Sequence, residues 1–117
     1  VPRAGADEVA ELEAAARACR RGDPATRLAA NRRFHDALHR LAGSRPLLRL
    51  LDLLWDSTEA YRALYYALPG ESAAADRAHR EIVRAVAAND AERVIELQDA
   101  HRDRALSRLR EALRQPR

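Results

Sequence analysis

The chain has 117 residues, enough for one domain with its own hydrophobic core and no disulfide staples. Its single cysteine, Cys19, excludes an intrachain disulfide and a thiolate metal cluster, and no apolar run reaches the roughly 18 residues of a membrane-spanning helix. The formal charge is +3, but the 21 basic residues are all arginine and are interleaved with 18 acids, with no aromatic side chains between them to stack bases, so the charges read as salt-bridged helix surfaces rather than a nucleic-acid site.

Ala, Leu, Arg and Glu dominate and β-branched residues are scarce, which favours helix throughout. The first helix is predicted from about Ala6 to Arg21, closed by Gly22 as a left-handed cap. Asp23 caps the second, with Pro24 in its first turn, where the missing N–H costs nothing. That helix runs to about Ala42 and stops at Gly43. Ser44 caps a third helix continuing through Leu68, and Pro69-Gly70 makes the turn after it. Ser72 is the predicted cap of a fourth helix ending near Asn89, and Asp90 caps a fifth that runs to about Arg114. Connections this short make neighbours antiparallel, so the expected fold is all-α, an antiparallel bundle of about five helices forming a single domain.

Placing each helix on a wheel of about 100° per residue shows polar side chains on apolar stripes. The second helix has the stripe Leu28, Phe34, Leu38, Leu41 and Ala42, and Asn31 and His35 fall inside it one turn apart. The fourth has Ala75, Ile82, Val83 and Val86, with His79 in the middle. The fifth has Val94, Leu97 and Ala105, with His101 among them. His39 lies at the edge of its stripe. Several unpaired imidazoles in a core are costly, and a divalent ion removes that cost by accepting a lone pair from each neutral ring. Asn31, His35, His79 and His101 are therefore the candidate metal ligands, with zinc as the expected ion and nickel or manganese compatible with the same donors. A metal-free polar pocket for an anion remains open. The third helix begins as Leu47, Leu51 and Leu54 and turns polar at Thr58, Tyr61 and Tyr65, with Arg62 at its margin. Thr58, Arg62 and Tyr65 are the candidate wall of a small-ligand pocket, where Arg62 could clamp a carboxylate. A bundle end with tyrosines meeting solvent is the competing reading. Trp55 and Cys19 are read as packing.

These residues also resemble a known family. Asn31-Arg32-Arg33-Phe34-His35, followed by Leu38 and Ala42-Gly43-Ser44, is similar to the D-x-x-F-H…L…(A/S)-G-N segment of the FCD domain, the C-terminal effector-sensing half of FadR-branch GntR-type bacterial transcription regulators. Ala78-His79-Arg80-Glu81-Ile82-Val83 through Ala88-Asn89-Asp90-Ala91 resembles its E-H-x-x-I…A…G-D-x-x-A segment, and His101 follows at the family's spacing. The resemblance covers about Ala6 to Leu113. It implies a metal held at the positions of Asn31, His35, His79 and His101, a small carboxylate effector bound at that metal, a homodimer, and DNA contact through a separate N-terminal winged helix. The family carries aspartate where Asn31 stands, so this site would have one negative charge fewer.

The chain contains no methionine and starts Val1-Pro2-Arg3, so it is expected to be a piece of a longer protein. The winged helix, and the sensor helix that usually precedes the one at Ala6, lie outside the sequence given. No signal peptide is visible, so the cytoplasm is the expected compartment. His35-Asp36-Ala37-Leu38-His39 offers a rival zinc-hydrolase reading, but aspartate has a short reach for a general base, and Asp36 and His39 turn away from the face of His35. A plain helical dimerisation module that needs neither metal nor ligand is the other alternative.

Overall fold

The computed structural model describes residues 4–114 as five helices and, among those residues, no strands. They are α1 (Ala6–Ala18), α2 (Pro24–Arg40), α3 (Arg45–Ala67), α4 (Glu71–Ala87) and α5 (Ala91–Arg114). The capping residues read from the sequence mostly act as expected. Asp23 accepts from the Thr26 N–H at 2.8 Å, Ser44 from Leu47 at 3.3 Å and Asp90 from Arg93 at 3.0 Å. Two ends differ. α1 stops at Ala18, and the chain tightens through Arg20 N–H to Arg17 O and Arg21 N–H to Ala18 O before Gly22 turns left-handed at φ 95°. An added Cβ at Gly22 would stand 2.7 Å from Thr26 Cγ2, so the turn needs glycine for space as well as for φ. Ser72 is not the cap of α4. Gly70, at φ 80°, holds that place and its carbonyl accepts from Ala74, which puts Ser72 inside the first turn.

The main core joins four helices. Leu12 and Ala16 from α1, with Cys19 just after its end, meet Phe34 and Leu38 from α2, Ile82 and Val86 from α4, and Val94 and Leu97 from α5. Phe34 and Ile82 are fully buried, each stabilising the fold by about 1.5–3 kcal/mol. α3 contributes nothing to this cluster. Its buried side chains are Tyr65 and Tyr66, near its C-terminus, which form a second cluster with Ala75 and Leu109. The expected α3 stripe is thus corrected: Leu47 and Leu54 are exposed and Leu51 half-buried, because the N-terminal half of α3 lies outside the main core. Ala42, placed on the α2 stripe, is also exposed, since α2 has ended before it.

α3 and α5 run in the same direction. Trp55 and His101 both lie beside His35, and farther along the two helices Tyr65 and Arg104 share Glu71. Alternating direction along α3, α4 and α5 produces this arrangement, and it opens one long seam between α3 and α5.

Candidate metal centre

α2, α4 and α5 each present one histidine to the same interior point. Ring centroids lie 5.1 Å apart for His35 and His79, 5.4 Å for His79 and His101, and 5.7 Å for His35 and His101. One ring nitrogen from each lies within 4.8 Å of the others. Phe34 stacks on His79 at 4.4 Å and closes the cluster from below. Asn31, one turn before His35, is 3% exposed and its Oδ1 has no hydrogen-bond partner among the described residues.

The electrostatics fit coordination. Burial pushes the His35 imidazole well below its usual range, and the neighbouring His79 and His101 push it the same way. Burial, aided by His101, takes His79 down to about 3, and burial lowers His101 as well. All three rings are therefore neutral near pH 7 and keep a free lone pair. His79 is fully buried, and neither ring nitrogen has a hydrogen-bond partner among the described residues. Orphaned buried nitrogens of this kind are uncommon in folded proteins and call for an explanation.

His39 stands apart from this group. Its ring is 6.2 Å from His35 and packs edge-on against Trp55 at 5.9 Å, and it is not among the clustered ligand atoms. His39 is thus not one of the three grouped histidines.

The seam between α3 and α5 opens from the histidines into a cavity of about 680 Å³. Thr58, Arg62 and Tyr65 all line it, and each also makes hydrogen bonds within the protein. Thr58 Oγ1 donates to Leu54 O at 2.8 Å and accepts from Arg62 at 2.7 Å. Arg62 also donates to Trp55 O and lies over the indole, 3.9 Å from its centroid. The Tyr65 hydroxyl donates to Glu71 at 2.8 Å. Sequence reasoning placed Ala105 on the α5 stripe with His101 but missed Leu106, Leu109 and Leu113, which continue the opposite wall of the cavity. Their three- and four-residue spacing was readable as a stripe, though not what it faces. It also missed Tyr66, a buried cavity residue whose hydroxyl has no partner among the described residues.

Fold and site together define a helical bundle that surrounds a histidine-lined interior pocket. No helix among the described residues is long and apolar enough to cross a bilayer. The family model of the FCD domain matches residues 1–104, and the chain belongs to that family. It is thus a regulatory effector-binding domain of the kind found in GntR-type regulators. No curated protein and no solved structure matches the chain.

Proposed function

We propose that this chain is a single sensor domain that holds one divalent ion on His35, His79 and His101, with Asn31 as a fourth contact, and binds a small carboxylate effector beside it. The observation that carries the reading is His79, fully buried beside two further neutral imidazoles with both ring nitrogens unpartnered among the described residues. Three imidazoles and one oxygen suit zinc, with nickel or manganese accepting the same donors. The amide of Asn31 brings no charge, so the centre keeps the ion's full double charge, which favours an anionic effector. A bound ion there supplies the positive charge that attracts such a carboxylate.

The chain's own residues do the rest. Phe34 and Trp55 hold the His79 and His35 rings by packing, at 4.4 and 5.0 Å between centroids. Thr58, Arg62 and Tyr65 shape the α3 wall. Effector binding favours the bundle conformations that accept it and so shifts the population of a homodimer between states of different operator affinity. DNA is contacted by a winged-helix domain outside this sequence, in the cytoplasm. The domain acts by binding and not by catalysis.

Metal analysis tests the centre. Protein purified without chelator should carry close to one divalent ion per chain. His79→Ala and His101→Ala should each lose it, while His39→Ala keeps it. Wild-type protein that stays metal-free after loading with zinc, nickel and manganese would sink the coordination reading, and loss of metal in His39→Ala would revive the hydrolase pair.

A further inference from the structure

The mixed charge pattern implies that arginines pair with nearby acids, and many do. Arg32 and Arg40 on α2, and Arg93, Arg102, Arg104 and Arg108 on α5, each meet a carboxylate. Six of the remaining arginines gather on one face. Arg17 lies in the last turn of α1, Arg20 and Arg21 just after its end, and Arg77, Arg80 and Arg84 on α4. All six are exposed, and none forms an ion pair among the described residues.

The fold makes these side chains neighbours. α1 packs directly on α4. At about 100° per residue, Arg77, Arg80 and Arg84 fall within about 60° of one another, on the side of α4 away from the core. Asp76 links the two groups. It is buried, and its Oδ2 accepts from Arg27 at 2.8 Å. Burial pushes its carboxyl up, and Arg27, Arg20 and Arg80 all oppose that rise, so guanidiniums from three segments surround one carboxylate. The exposed acids nearby are Glu13, Asp23 and Glu81, and Asp23 is engaged as the cap of α2. The face is therefore cationic. It also lacks large apolar side chains: among the described residues the exposed ones lie on α3 and α5, with none on α1 or α4. A protein partner needs a desolvated apolar core at the contact. A phosphate backbone needs only guanidinium forks, which pair with phosphate oxygens two at a time.

From this geometry we propose that the α1–α4 face is a nucleic-acid backbone surface, on which Arg17, Arg20, Arg21, Arg77, Arg80 and Arg84 hold the phosphates of duplex DNA. The function proposed above leaves DNA to another domain; this adds a second contact, made by the sensor domain itself. Contacts to phosphate fix position on a duplex and carry no sequence information. The dimensions agree. Arg77 to Arg84 covers about 10 Å of helix, and packed helices stand about 8–10 Å apart. Duplex DNA carries one charge per about 1.7 Å of its axis, so about 10 Å presents roughly six charges, of which one side meets about three.

The test is fluorescence anisotropy of a labelled duplex of arbitrary sequence, about 20 base pairs long, titrated with the chain between about 50 and 200 mM salt. Three neutralised phosphates predict a slope of log affinity on log salt of about −2.7, or roughly 40-fold weaker binding at the higher salt. Arg80→Gln and Arg84→Gln should each reduce that slope by about 1. Both side chains are exposed, so circular dichroism should not change, and Arg17→Gln repeats the test from the second helix. Arg93→Gln and Arg102→Gln, whose guanidiniums are already paired on α5, should leave the slope as it is. No binding at the lower salt overturns the proposal, as does a slope that the α1 and α4 variants leave intact. Polyglutamate that binds as tightly as the duplex overturns it too, and makes the face a dock for an acidic protein. The readout needs neither metal nor effector, so its failure is separate from failure of the coordination reading.

Discussion

Glu71 is 2% exposed, at the first position of α4, and carries a charge into the bundle. Burial alone would push its carboxyl up, but bonds from Arg104 and Tyr65 outweigh burial and hold it below the usual carboxylate range. Arg104 reaches both oxygens, at 2.9 and 3.1 Å, and Tyr65 donates to Oε2 at 2.8 Å. Arg108 Nε stands 2.8 Å from Oε1 as an ion pair without hydrogen-bond alignment. One side chain thus ties α3, α4 and α5 together beside the cavity. Glu71→Gln should lower stability by about 1.5–3 kcal/mol, the range for a hydrogen bond to a charged group. Arg104→Ala should cost less than about 1 kcal/mol, because Arg104 is half exposed and its charge is screened. Urea unfolding of the two variants beside wild type measures both. Equal losses would mean that the buried carboxylate is no more than a surface partner. The sequence offered no sign of this cluster, since Glu71 and Arg104 lie on different helices and each looks like an ordinary surface charge when read along the chain.

At the scale of the elements, the helix ends were legible wherever a side chain made the cap, as at Asp23, Ser44 and Asp90. Where backbone conformation made it, at Gly70, a nearby serine was the wrong choice. The histidines were legible because α2, α4 and α5 have narrow apolar stripes on which a polar residue stands out. Their shared placement has a consequence in the absence of metal. The unfolded chain protonates its histidines near pH 6.5, while burial keeps His35, His79 and His101 neutral to lower pH. Below about 6.5 the unfolded chain therefore binds protons that the native state refuses, and stability falls as pH falls. The slope is up to about 1.4 kcal/mol per pH unit for each ring, and His79 contributes until its native value of about 3. Urea midpoints of chelator-stripped protein should drop steadily from pH 7 to pH 5, and less steeply in His101→Gln. A level profile would show that the rings are not buried and neutral as described.

On the scale of the whole molecule, α3 is where sequence reasoning went furthest astray, and the reason is physical. Its first half carries leucine on most of its circumference, so periodicity could not choose an inward face. The structure turns Leu51 and Trp55 toward the cavity and leaves Leu50, Leu53, Leu54 and Leu64 exposed, from 38% for Leu64 to 64% for Leu53. On a helical wheel no charged residue interrupts this outer stripe between Leu47 and Leu64, whereas Arg49, Asp52, Asp56 and Glu59 occupy the opposite flank. A contiguous apolar face of this kind on a single chain marks an interaction surface, and a homodimer would put two such stripes together. Leu53→Glu places a charge at the most exposed leucine of the stripe, where the single chain has little packing to lose. Sedimentation should read a dimer for wild type at micromolar concentration and a monomer for Leu53→Glu, with far-ultraviolet circular dichroism unchanged. A dimer that survives Leu53→Glu would move the homodimer contact to another face. A monomeric wild type would leave the stripe without a second copy to cover it, and the domain would then sense its effector without pairing through α3.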